Sequence, residues 1–350
     1  SVTDHNTFSY SAPGAAGYYV STSSTAPTVG ATQSTFALNK WTTATSTGDL
    51  TLSEGQTYYV WAENSASGTL RGPASIVVRK VTRSQGTGST LTTKFDSSSG
   101  SDTGSPAYVF DGSKVYAAAS NNSGYHGASV TVTSGITYSN NLATILGKDV
   151  TITSSASANT VKININKDGS AWSGSGVKVT LYNGTTATSY TATVSSGSQA
   201  TLSAVPNGTY NIYAGKNSGA LTTLIDSEHD VTVNNNDPAA ITLNYYTVTL
   251  NKGTGASSVS GAGTYLYKAS GTQQDIAIDA GVSNGYQWST WTKTAGTNPA
   301  TFTAGTQSQN IRLGAGAVTL RADCTYIANV TTSVTDHNTF SYSAPGAAGY

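Results

Sequence analysis

The chain has 350 residues, 17 basic and 17 acidic side chains, a formal net charge of zero and only 10% charged residues. So neutral a surface offers no basic face for nucleic acid and no polybasic segment for an anionic membrane. No apolar run approaches the ~20 residues needed to span a bilayer, and a single cysteine, Cys324, excludes an internal disulfide.

Any core must therefore hold by packing. Cys324 reads as a small buried apolar residue, its other use being to cross-link two chains. There is no Met and no charged segment leading into an apolar one, so the chain is expected to be an interior piece of a longer protein. Abundant Thr, Val and Tyr favour pleated strands, and Gly and Asn favour the turns between them. No stretch carries a helical period.

The first eighteen residues, SVTDHNTFSYSAPGAAGY, recur unchanged at 333–350. The second copy starts at Ser333, 332 positions after Ser1. An exact duplication of mixed chemistry points to a tandem repeat of a 332-residue unit, with the start of the next unit following. In GQTYYVWAEN, at 55–64, Tyr58 and Val60 fall on one strand face and Tyr59 and Trp61 on the other. SIVVRKVTRSQ, at 75–85, runs strand into strand with no Gly/Ser spacer, which limits hinge freedom. The same holds for ITSSASANTVKI, ITLNYYTVTL and ADCTYIANVTT.

A weaker repeat lies within the unit. VTRSQGTG at 81–88 is echoed by VTLNKGTG at 248–255, ASNNSGY at 119–125 by AGVSNGY at 280–286, and DVTITSSA at 149–156 by AVTLRADC at 317–324. Between these copies, TVKININ alternates Val161, Ile163 and Ile165 with polar residues. GVKVTLYNG places Val177, Val179 and Leu181 on one face, with Asn183-Gly184 as the turn, and NGTYNIYAG puts Tyr210 and Ile212 together. Strands at this spacing mean sandwiches or small barrels. The unit is expected to alternate two kinds of domain of about 80 residues, each ~30–40 Å across.

Catalytic chemistry is not expected. His5, His126, His229 and His337 lack metal-ligand spacing, and His5 and His337 are the same repeat position. The acidic cluster DSEHD at 226–230 lacks the alternating oxygen ligands of a calcium loop. GTGS at 86–89 and GTG at 253–255 read as turns, because no Lys-Ser/Thr or helix follows them. No enzyme, cofactor or metal is read from the sequence. Trp288 and Trp291 in GYQWSTWT offer a sugar-stacking platform if exposed and a core pair if buried. Trp41, Trp61 and Trp172 pose the same choice.

Four segments resemble known modules. Residues 245–330, through YTVTLNKGTGASSVSG, GYQWSTWT and AVTLRADC, resemble the internalin B-type repeat, a β-grasp-like module. Residues 80–158 resemble a divergent copy, with GYHGASVTV in place of the Trp-bearing strand. Residues 159–244, through DGSAWSGSGVKVTLYNG and LSAVPNGTYNIY, resemble a prealbumin-like or collagen-adhesin B-type domain. Residues 1–79, through GYYVSTSSTAPT and GQTYYVWAENSASG, resemble a bacterial immunoglobulin-like domain, and 331–350 would begin the next one. The first strand of the 1–79 domain would then lie upstream, in the counterpart of 326–334.

Together the resemblances imply an all-β chain of four small β-sandwich or β-grasp-like domains in tandem, forming an elongated rod. They imply a structural segment of a long extracellular fibre or stalk on a bacterial cell surface. Its partners would be neighbouring copies of the same repeat, with lateral association of identical fibres and a host glycan or protein as further partners. An adhesin or glycan-binding module, and a non-covalent filament built by terminal strand donation, are the alternatives. The collagen-adhesin likeness also implies a Lys–Asn isopeptide bond, for which Lys162 and Asn244 are the candidates. Lys162, however, falls on the polar side of its strand, and no acid occupies the middle strands.

Overall fold

The computed structural model describes residues 1–194, 197–216, 225–271, 273–327 and 331–343, with the backbone alone at 216 and 225–229. The described residues are all β, with several separate sheets and no helix. The chain divides into two compact units, 1–158 and 159–350, and four apolar cores form, two in each unit.

The alternation read from the sequence decides which faces are buried. Val161, Ile163 and Ile165 are all buried, as are Val177, Val179, Leu181, Tyr210 and Ile212, and together they form one core. The strand Thr57–Asn64 departs from a simple two-faced pattern, because Tyr58 and Trp61 on opposite faces are both buried. Tyr58 enters the core with Phe8 and Val20. Trp61 joins a second aromatic group with Tyr19 and Trp41. The carbonyl of Thr28 accepts a hydrogen bond from Trp41 Nε1 at 3.3 Å, so a loop covers this face too.

Each unit is organised around one long strand that serves two cores. In the first unit it is Leu70–Gln85, sixteen residues without a break. Its first half pairs antiparallel with Thr57–Asn64, from Leu70↔Glu63 to Val77↔Thr57. Its second half pairs with Ala107–Phe110 and, in parallel, with Val150–Ala158. In the second unit the strand is Ile241–Lys252, paired in parallel first with Thr160–Lys167 and then with Val318–Tyr326. The strands at 75–85 and 241–250 therefore pass from one core to the next with no linker.

The partial internal repeat proves to be a repeat of geometry. Val81 pairs with Val150 as Val248 pairs with Val318. Gly86 N–H donates to Ser154 O at 3.0 Å, and Gly253 N–H donates to Ala322 O at 2.8 Å. Asn122 N–H reaches Gly88 O as Ser283 N–H reaches Gly255 O, both at 2.9 Å. Gly88 and Gly255 both adopt φ +78°. A Cβ added at Gly88 would lie 2.0 Å from the Tyr125 ring, and one at Gly255 would lie 2.3 Å from the Tyr286 ring. The GTG turn and the later GY thus form one device, in which a tyrosine ring lies on the bare backbone of the second glycine.

Gly88→Ala or Gly255→Ala combines left-handed strain with overpacking and is expected to cost about 2 kcal/mol or more. Gly147 has φ +76° but open space around it, so Gly147→Ala is expected to cost only about 1 kcal/mol. Urea unfolding of the three variants checks the ordering.

Candidate functional site

The duplicated segment occurs in two environments. In both it forms the same antiparallel hairpin. Val2 pairs with Phe8 and Asp4 with Thr7 in the first copy, and Val334 with Phe340 and Asp336 with Thr339 in the second. The turn is local: the His5 backbone N–H donates to Asp4 Oδ1 at 2.5 Å, and that of His337 to Asp336 Oδ1 at 2.5 Å. The hairpin thus carries its conformation in its own sequence.

The first copy is seated. Phe8 is 3% exposed and lies edge-on to Phe110, 5.1 Å between centroids. Its backbone N–H donates to Thr47 Oγ1, and its carbonyl accepts from the Thr47 N–H at 3.0 Å. Further along, Tyr10 N–H donates to Thr45 O, Leu50 N–H to Asn6 O, and Phe110 N–H to His5 O. The His5 ring stacks on Phe95, 3.7 Å between centroids and 12° between planes. One short hairpin therefore closes the core of Phe8, Val20 and Tyr58 and also grips residues of the following domain.

Beside this seat lies a groove of about 490 Å³, whose lining includes Ser1, Ser9–Ser11, Arg71, Gly72 and Ala74–Val77.

At the turn, Asp4, His5 and Asp96 bring three ligand-capable atoms within 4.8 Å of one another. Their own hydrogen bonds account for the grouping. Burial pushes the Asp96 carboxyl up, and its hydrogen bond and like charge with Asp4 push it further. Burial acts the same way on Asp4, but hydrogen bonds with Asp96 and His5 outweigh it and hold that carboxyl below its usual value. The two carboxyls titrate together.

The second copy makes none of these burials. Val334 is 83% exposed, Phe340 64% and Tyr342 52%. With Tyr326 and Ile327 they make up five of the seven large apolar residues exposed among the described residues. Exposed apolar surface is therefore concentrated at one short stretch of the described chain.

The other candidates fall elsewhere. Trp291 is 1% exposed, and its Nε1 donates to Gln307 O at 3.0 Å. Trp288 packs T-shaped on it at 5.5 Å and donates to Gly305 O. The two are core neighbours, and Trp291 offers no face to a sugar. Trp41 and Trp61 are buried, and Trp172 packs against Tyr245. Asn244 stands opposite Asn166, whose Nδ2 donates to Asn244 Oδ1 at 3.3 Å. Lys162 is exposed and stands opposite Thr201, four residues back along the strand, or ~13 Å at the rise of a strand. The ladder does not bring Lys162 and Asn244 together.

Cys324 is half-buried rather than buried, and burial together with the Asp323 carboxylate pushes its thiol up, away from the reactive thiolate. The side chains of DSEHD at 226–229, His229 included, lie outside the described residues, as do 328–330 of ADCTYIANVTT.

The sequence reading flagged the hairpin through its duplication but not its seat. Thr47, Phe95, Asp96 and Phe110 carry no local signal, because they meet the hairpin only across the fold.

No family model matches the chain, and no curated protein matches it. Among solved structures, the Bacillus anthracis TIE protein is similar over 92% of this chain and 68% of its own, at 8% identity and a TM-score of 0.23. So loose a likeness carries no argument about fold or function.

Trp291→Ala is expected to destabilise its unit by about 3–5 kcal/mol, as removal of a core aromatic does, which denaturant unfolding measures. The pH dependence of the hairpin seat has a worked sign. The raised Asp96 contributes stability that is present at low pH and lost as pH rises through its folded value. Asp96→Asn removes that loss, so the variant's melting temperature is expected to gain on the wild type as pH rises from about 3 to about 7. The gain is small because Asp96 is 42% exposed. Calorimetry across that range tests it, and a pH-independent difference would refute it.

Proposed function

We propose that this chain is a structural tandem-repeat segment of a long extracellular fibre or stalk of a bacterial surface protein. The observation that carries the reading is the duplication: the hairpin that closes the domain of residues 12–79 is present again at 331–343 in the same register. In quasi-one-dimensional proteins each repeat gains stability from its neighbours, and a hairpin placed at the start of every unit would supply that contact. On this reading residues 1–79 form an immunoglobulin-like domain, 80–158 and 245–330 internalin B-type repeats, and 159–244 a collagen-adhesin B-type domain. The zero net charge and the Ser/Thr-rich surface suit an exposed role. The strands shared between neighbouring cores suit a load-bearing one.

A second reading is a filament of separate chains joined by terminal strand donation. The exact duplication of the terminal hairpin favours it, because either copy would supply the same strands.

Peptide mass spectrometry on native material separates the two. Trypsin cuts after Arg321 and after Lys40. A continuous array yields one peptide that runs from Ala322 through the shared eighteen residues into the Tyr19 to Lys40 sequence. A native terminus at Ser1 in every chain would overturn the continuous stalk.

A further inference from the structure

We propose that the strand edge at 129–132 pairs with the same edge of a second copy of this chain, about a two-fold axis that passes between the two Thr131 residues. The inference rests on the fibre reading for its use, because it names a surface through which identical fibres would associate sideways. The contact itself belongs to the folded chain.

The edge is read from the ladder. Tyr125–Val132 is the terminal strand of its sheet and pairs on one side with Val150–Ala158, Ser129 opposite Ser155 and Val132 opposite Ile152. One position further, Thr133 N–H donates to Thr151 O at 3.0 Å. Bonded and unbonded pairs alternate along an antiparallel ladder, so Thr131 and Ser129 also turn their peptide groups towards Val150–Ala158. Val130 and Val132 turn theirs the other way, where no strand of the described chain pairs with them. Side chains alternate in step: Val130 and Val132 pack on the core, while Ser129 and Thr131 are exposed.

The internal repeat shows what such an edge accepts. Tyr286–Gly296 is the terminal strand of the corresponding sheet in the second unit. There residues 297–308 return over the edge, so that Trp291 N–H donates to Ala304 O at 2.8 Å and Trp288 Nε1 to Gly305 O. In the first unit the chain leaves Val132 through a turn at 133–136, closed by Ile136 N–H on Thr133 O at 3.1 Å, and goes straight into Thr137–Ser139. No segment is left there to return. The devices that blunt an edge are missing as well. From Gly127 to Gly135 there is no charge and no proline, and the bulge, between His126 and Ser129, lies before the open rungs.

The geometry is self-complementary. With Thr131 opposite Thr131, Val130 of each copy stands opposite Val132 of the other, and every outward N–H of one meets an outward C=O of its partner. The two Thr131 side chains then face each other as an unbonded pair, neutral and ~4.5–5.5 Å apart at Cβ. Such an isologous contact closes on itself. So short an edge falls far below the ~1,200 Å² of a stable interface, and one contact is therefore weak. In a tandem array it recurs with every unit and gains strength by multivalency.

Cysteine capture in the full chain tests this, with Cys324→Ser as the background. Thr131→Cys is expected to give a disulfide-linked dimer under mild oxidation at least about tenfold faster than Ser129→Cys. The two sites are equally on the exposed face, but paired Ser129→Cys thiols would stand four residues out of register and ~13 Å apart. Val132→Pro removes an outward N–H and no native ladder bond, and is expected to bring the Thr131→Cys rate down to that of Ser129→Cys. The proposal is overturned if Thr131→Cys gives no dimer in the purified chain, which would leave the edge to a strand of another protein. It is equally overturned if Ser129→Cys links as fast, or if folded Val132→Pro leaves the rate unchanged. The comparison of Thr131→Cys with Ser129→Cys decides alone should Val132→Pro fail to fold. None of these outcomes depends on the tryptic peptide that tests covalent continuity, so the two readings fail separately.

Discussion

Everything in each unit depends on a strand that belongs to two cores at once. Leu70–Gln85 hydrogen-bonds to one set of neighbours through Val77 and to another from Val78 onward. The change of partners happens within a single peptide unit. A strand cannot bend freely while both of its segments are held in ladders, so the domains of a pair are fused rather than tethered. Side chains reinforce the joint. Lys80 Nζ donates to Glu54 at 3.1 Å, and Arg79 Nε to Asp111 at 2.7 Å. In the second unit, the N–H and hydroxyl of Thr247 both donate to the Asp168 carboxylate. Surface pairs of this kind add little stability each. Their use here is to fix register at the point where partners change.

The cores are shared as well as adjacent. Phe110 lies on a strand of the second domain and is buried in the core of the first. Leu266 does the same in the second unit, joining the core of Val161 and Ile212 from a strand paired with Ile241–Lys252. The first core of each unit therefore buries a residue that the neighbouring stretch supplies. The hairpin 1–11 extends this logic, since Phe8 needs Phe110 and His5 needs Phe95.

Much of this was legible from the residues. Alternation in TVKININ marked the buried face correctly, because a period of two leaves a strand only one way to hide its apolar side, whereas in GVKVTLYNG Thr180 and Tyr182 on the opposite face are buried as well. The unbroken strands at 75–85 and 241–250 were visible as runs with no turn residue. Other features were not legible. The burial of both Tyr58 and Trp61 depends on a covering loop, which alternation cannot report. Trp291 reads the same in sequence whether it lines a core or a sugar site. Lys162 and Asn244 were candidates only through the collagen-adhesin likeness, against which the polar-side position of Lys162 already spoke, and the parallel register puts Asn166 opposite Asn244.

By itself, then, the sequence determined the β-class, the repeat and the conformation of the hairpin, since all three rest on local chemistry: alternation, identity of letters, and an Asp-His-Asn turn that bonds to itself. The tertiary structure decided where that hairpin goes. Thr47, Phe95, Asp96 and Phe110 build the seat from three separate stretches of chain, and no local pattern announces them. Phe8 is core because of the neighbours that the hairpin meets across the fold, which its own sequence does not announce.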